Sequence, residues 1–140
     1  MRVDTRFVTF AVIVLILVNC AAAAAFEWPL DEVEVAATFG EYRHGGFFKG
    51  IELESQGEPV RPIDDGRIIF VASERPGFNG ALPNGMGNGA VVEHERGIRS
   101  VYGYLADQPS LAEGRSVTVQ ETISRVGASG STPGNMLYLQ

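Results

Sequence analysis

Few side chains in this 140-residue chain are of types that do chemistry, and they limit what that chemistry is. His44, Glu52 and His94 together offer the atom types of a metal site. A catalytic zinc needs three protein ligands drawn from His, Asp, Glu or Cys, and an open position for water. The chain holds no other histidine. Read more plainly, His94 is a strand histidine hydrogen-bonded near a turn, and His44 is a loop residue ahead of Gly45-Gly46. Cys20 is the one cysteine, so no intramolecular disulfide forms and a four-cysteine zinc centre is excluded. Lys49 is the one lysine.

The elements that must hold these groups are short strands. Seventeen glycines and seven prolines among short β-branched runs favour an all-β fold. The central stretch reads as a hairpin: Ala90 to His94, a polar loop Glu95-Arg96-Gly97, then Ile98 to Tyr102 alternating at period two. Gly97 is free to take positive φ there. Either Ile98, Ser100 and Tyr102 point inward, or Arg99, Val101 and Gly103 do. Arg67 to Ala72 is a second clear strand, entered through the turn signal Asp65-Gly66, with Pro59 and Pro62 suited to strand edges. Ile51 and Leu53 alternate with Glu52 as in a half-buried strand. Asp31 to Ala37 fits a helix or a strand. Glu74 to Gly89, rich in Gly, Pro and Asn, is a long loop, either bordering a groove or forming a solvated insertion.

At the N-terminus, Arg2 and Arg6 precede an apolar run from Phe7 to Val18, followed by Asn19, Cys20 and five alanines. This is the pattern of a secretory signal peptide. The alanines offer cleavage sites, while Leu17-Val18-Asn19-Cys20 resembles a loose lipobox that would leave a lipidated Cys20. An uncleaved anchor is the plainer alternative, with Asn19 and the alanines making a poor span. The membrane is therefore met only through this segment. Beyond Ala25 there are nine basic and sixteen acidic residues, a charge of −7. A phosphate-binding face needs clustered Lys and Arg, so nucleic acid is not expected as a partner.

Gly87-Asn88, Val91, His94, Gly97, Val101, Tyr102 and Leu105 match in order the pattern G-N-x-V-x-I-x-H-x-x-G-x-x-T-x-Y-x-H-L. The chain thereby resembles the LytM/lysostaphin-type peptidoglycan metallopeptidases. Five further stretches resemble that family in the same order. Phe39 to Arg43 is similar to its F-G-x-R entry, and Phe48 to Glu52 to its H-x-G-x-D. Gly57 to Gly66 is similar to its G-x-P-V-x-A-x-x-D-G connection. Ala112 to Gly127 resembles a family hairpin, and Ala128 to Gln140 resembles G-x-S-T-G-P-H-L-H-F. The departures fall on the chemistry. Phe48, Glu52 and Tyr138 stand where the family has its zinc ligands, and Tyr104 and Met136 where it has assisting histidines.

The resemblance implies a mostly antiparallel sandwich or hybrid barrel over residues 39–140, after a signal over 1–25 and an entry segment over 26–38. It also implies a further stretch of sheet where this chain stops, so the domain reads as a naturally short version or one truncated at its C-terminal end. Zinc is the cofactor of active relatives, but here only Glu52 is a usual ligand, so no cofactor is expected. Phe48, Glu52, Tyr104, Met136 and Tyr138 would line a degenerate cleft, Phe48 and Met136 as filling, and the two tyrosines with hydroxyls toward solvent or ligand. The function implied is an exported, non-catalytic domain that binds peptidoglycan or a cell-wall hydrolase. The alternatives are an active zinc endopeptidase with ligands relocated to His44, Glu52 and His94, and a biotinyl or lipoyl carrier. A carrier needs a lysine at an exposed hairpin tip, which Lys49 at a strand entry serves poorly.

Overall fold

The computed structural model describes residues 25–43, 46–75, 79–106 and 111–140. The expected export signal with Cys20, the histidine His44, and part of the polar connection after Ala106 lie outside the described residues. Strands β1 (Glu34–Ala37), β2 (Tyr42–Arg43), β3 (Gly46–Phe47), β4 (Ile51–Glu54), β5 (Pro59–Val60) and β6 (Gly66–Ala72) are followed by β7 (Gly89–His94), β8 (Arg99–Gly103), β9 (Ser116–Val117), β10 (Ser124–Arg125) and β11 (Met136–Leu139). Seven of them form one sheet in the order β1-β4-β11-β8-β7-β6-β9, with β10-β5 and β2-β3 as separate pairs. Every pairing is antiparallel. The fold is all-β, and within Asp31 to Ala37 the residues Glu34–Ala37 form a strand. Among the described residues no helix is long and apolar enough to cross a membrane.

Register decides which face each residue occupies, because directly paired residues share a face. Val92 pairs with Ser100 and Ala90 with Tyr102. Leu139 pairs with Tyr102, and Leu137 with Leu53. These residues form the core face, so Ser100 and Tyr102 point inward and Ile98 stays exposed. Val60 from β5, and Ile123 and Val126 beside and beyond β10, close the same apolar cluster from the other side. Val117, Ile123 and Val126 converge on this one core.

Two local readings change. The stretch from Ala112 to Gly127 does not pair with itself: β9 adds to β6, and β10 adds to β5. The start of β6 has an open edge, and Asp65 Oδ1 accepts from Val119 N at 2.8 Å, carrying the chain across from one pair to the other. In the hairpin loop, Arg96 joins Gly97 at positive φ, 59° and 74°. The two residues together make the left-handed turn that one glycine was expected to supply.

Candidate binding cleft

The sheet face turned away from the core carries the candidate site. Glu52, Tyr138 and Gly103 lie side by side across β4, β11 and β8 and therefore project from one face. Two glycines make room for the aromatic ring between them. A Cβ on Gly50 would lie 2.8 Å from Tyr138 Cζ and against the Leu139 carbonyl, and one on Gly103 would lie 3.3 Å from Tyr138 Cβ and 3.0 Å from Met86 Cβ. Met86, from the long Glu74 to Gly89 loop, thus settles on the sheet where Gly103 leaves it bare.

Tyr104 reaches this face by a backbone exception. Period-two alternation would place it on the core side with Tyr102. Its φ of 61° breaks the alternation at the end of β8, a conformation rare for a bulky residue. Its N–H donates to Met86 O at 2.7 Å, and its carbonyl accepts from Gly127 N at 3.1 Å, which hold the turn.

The side chains then assemble around one carboxylate. Tyr104 Oη donates to Glu52 Oε1 at 3.1 Å, and Arg43 Nη1 donates to Glu52 Oε2 at 3.2 Å. Phe48 meets Tyr138 edge to face at 5.5 Å between centroids, and Tyr104 meets Tyr138 at 6.1 Å. The Arg43 guanidinium lies 5.9 Å from the Phe48 centroid while its Nε donates to Glu41 Oε2 at 3.0 Å. A cleft of about 760 Å³ opens over this group, with Met136 and Lys49 on its walls.

All five residues named from the sequence line this cleft. Their roles within it differ from the expectation. Tyr104 and Tyr138 are 7% and 3% exposed, and the Tyr138 hydroxyl bonds to Gln140 Oε1 at 2.6 Å rather than to solvent. Phe48 and Met136, expected as filling, are only half-buried. The reason is the pairing: Tyr138 is sandwiched in the sheet centre, whereas Phe48 precedes β4 and Met136 begins β11. Arg43 and Met86 were not foreseen as cleft residues. Arg43 belonged to the entry motif, but nothing in its spacing aimed it at Glu52.

Burial, then the Glu52 charge and hydrogen bond, push the Tyr104 hydroxyl up to about 12. Burial, then the Glu52 charge, also raise Tyr138. Both phenols therefore stay protonated near neutrality, and Tyr104 acts as a donor toward the carboxylate. His94 sits on the core side instead. Its Nδ1 lies 3.0 Å from the Asp65 carbonyl and its Nε2 2.7 Å from Ser100 Oγ, so neither nitrogen is available to the cleft. A carbonyl only accepts, so Nδ1 donates to Asp65. Among the described residues, no three His, Cys, Asp or Glu side chains gather as a metal-binding group.

The chain matches the model of Peptidase family M23 over residues 46–140. An uncharacterized protein of Treponema pallidum (strain Nichols) is 25% identical over 134 residues, 91% of this chain and 90% of its own length. The catalytic domain of the antimicrobial peptidase lysostaphin from Staphylococcus simulans shares the fold with a TM-score of 0.65 at 23% identity, over 77% of this chain and 78% of that one. A zinc containing peptidase from Vibrio cholerae has a TM-score of 0.67 at 25% identity, over 83% of this chain and 36% of its own. Since the match runs from β3 through β11 and so includes every strand that builds the cleft floor, the chain belongs to Peptidase family M23.

Proposed function

We propose that this chain is an exported, non-catalytic member of its family that acts at the cell wall by binding peptidoglycan or a cell-wall hydrolase. The observation that carries the reading is the state of Glu52. Its two carboxylate oxygens are taken by Arg43 and Tyr104, in a cleft whose other walls at the resembling positions are Phe48, Met136 and Tyr138. Zinc supplies a metalloprotease with a water acidic enough to attack at neutral pH. Holding the ion takes three good donors, and this set offers one carboxylate, already paired with a guanidinium. The donors do not suit zinc, and no hydrolytic step follows from them.

What the cleft offers instead is a binding surface: aromatic and thioether walls for apolar or ring-shaped groups, with Lys49 at the rim. Export is supported by the N-terminal charge and hydropathy pattern. The endopeptidase alternative needs His94 as a ligand, and both its ring nitrogens are engaged toward the core.

The test is zinc content of the full-length chain by elemental analysis after dialysis against sub-stoichiometric zinc, with retention on peptidoglycan sacculi and on purified hydrolases in parallel. The expected result is a metal-free protein retained on one of them. About one zinc per chain, lost in Glu52→Gln, overturns the proposal.

A further inference from the structure

The cleft continues onto a surface that the proposal above does not use. Three aromatic side chains around the β2–β3 hairpin face solvent: Phe39 at 74% exposure, Tyr42 at 69% and Phe47 at 72%. Tyr42 pairs with Phe47 across the two strands, and their rings meet edge to face at 5.5 Å and 74°. Phe47 also lines the cleft, so the ring pair and the Phe48–Tyr138 wall form one continuous surface. Large apolar side chains gathered at such exposure mark an interaction site.

The base of the hairpin is held in place before any ligand arrives. Glu41 Oε1 accepts from both Thr38 N at 2.7 Å and Thr38 Oγ1 at 2.9 Å. Gly40 N donates to Phe48 O, and Phe48 N to Glu41 O, each at 2.8 Å. Rings set on a fixed backbone lose little conformational freedom on binding.

We infer that this platform binds a neutral glycan strand, sugar rings lying on Tyr42, Phe47 and Phe39 and running toward the cleft. The reading rests on the non-catalytic cell-wall role and narrows it to the polysaccharide. Three observations select this occupant. The exposed side chains are flat rings with no branched aliphatics among them, and the negative face of an aromatic ring suits the slightly positive C–H face of a pyranose. The charges beside the rings are balanced, Arg43 and Lys49 against Glu41 and Glu52, and the exposed Lys49 can meet sugar hydroxyls. A chain of net charge −6 is repelled by an anionic bilayer, the other surface that exposed aromatics would suit.

The experiment is calorimetric titration of the full-length chain with a β-1,4-linked N-acetylglucosamine oligomer, on wild type, Tyr42→Ala/Phe47→Ala and Phe39→Ser. All three positions are exposed, and thermal melts check that the variants fold. Saturable binding by wild type that weakens at least about tenfold in the double variant, about 1.4 kcal/mol, supports the platform. Undetectable binding by folded wild type overturns it, as does equal binding by the double variant. So does aromatic-dependent binding to neutral or anionic vesicles, or aromatic-dependent self-association, in place of glycan binding. Sacculus retention unchanged in a folded double variant sinks the platform while leaving the non-catalytic reading intact. A zinc-loaded chain that still loses the oligomer in the double variant does the reverse.

Discussion

Removing the guanidinium from Glu52 is the sharpest test of how this cleft is held together. Arg43→Met keeps most of the apolar stem but leaves the buried carboxylate with only the Tyr104 hydroxyl. Deleting one partner of a fully buried pair costs about 3–5 kcal/mol, because the other charge stays out of water unpaired. Here the Arg43 side chain is 39% exposed and Glu52 9%, so solvent screens part of the interaction. The expected loss is about 1–3 kcal/mol, or a fall of about 4–12 °C in Tm for a domain of this size. Glu52→Gln also breaks the ion pair but buries no orphaned charge. In the double variant Arg43→Met then costs less than in wild type, with a coupling of at least about 1 kcal/mol. Urea melts of the four proteins near neutral pH give this cycle directly. Additivity within about 0.5 kcal/mol would refute the idea that Arg43 is the counter-charge on which the cleft depends.

Other consequences follow from the same geometry. Phe48→His/Glu52→Asp/Tyr138→His, combined with Arg43→Met, restores the ligand types implied by the family resemblance, and should take up about one zinc per chain by elemental analysis; a metal-free, folded variant would show that these positions do not converge as a site. Tyr104 keeps its proton in the fold up to about 12, against about 10 when unfolded, so its contribution is intact below about pH 10 and lost between about 10 and 12, at no more than about 1.4 kcal/mol per pH unit. Tyr102 and Tyr138 act in the same direction, and Tyr104→Phe should flatten the alkaline fall in chemical-denaturation stability. Gly50→Ala drives a methyl group into Tyr138 and the Leu139 backbone, and should destabilise by about 1–3 kcal/mol in urea melts while disturbing the aromatic near-ultraviolet signal. Ser100→Ala leaves His94 Nε2 and the Tyr102 hydroxyl without a shared buried partner, costing about 1–3 kcal/mol; zinc content should be the same as wild type, since this polar group faces the core.

Strand type and turn position were legible from local chemistry. Alternation in Ile51 to Leu53 and Ile98 to Tyr102, the β-branched run before Ala72, and Asp65-Gly66 each act over a few residues. Local sterics and burial period decide such features without the rest of the chain. The ordered glycine and valine motifs likewise led to the family and to five positions that line one cleft. Long-range pairing was not legible in that way. A two-residue strand such as β9 or β10 makes so few contacts of its own that its partner depends on which edge lies open nearby, and so the expected hairpin divided between two sheets. The register of β8 needed β7 and β11 on either side. Tyr104 defied alternation because a left-handed residue at a strand end costs little local sequence signal and is held by Met86 and Gly127 from distant segments. Arg43 reached Glu52 from a separate hairpin nine residues earlier. Local patterns therefore specified strands, turns and family; the charge balance of the cleft and the burial of its tyrosines arose only when segments far apart in the chain were packed together, since electrostatics and solvent exclusion act through space.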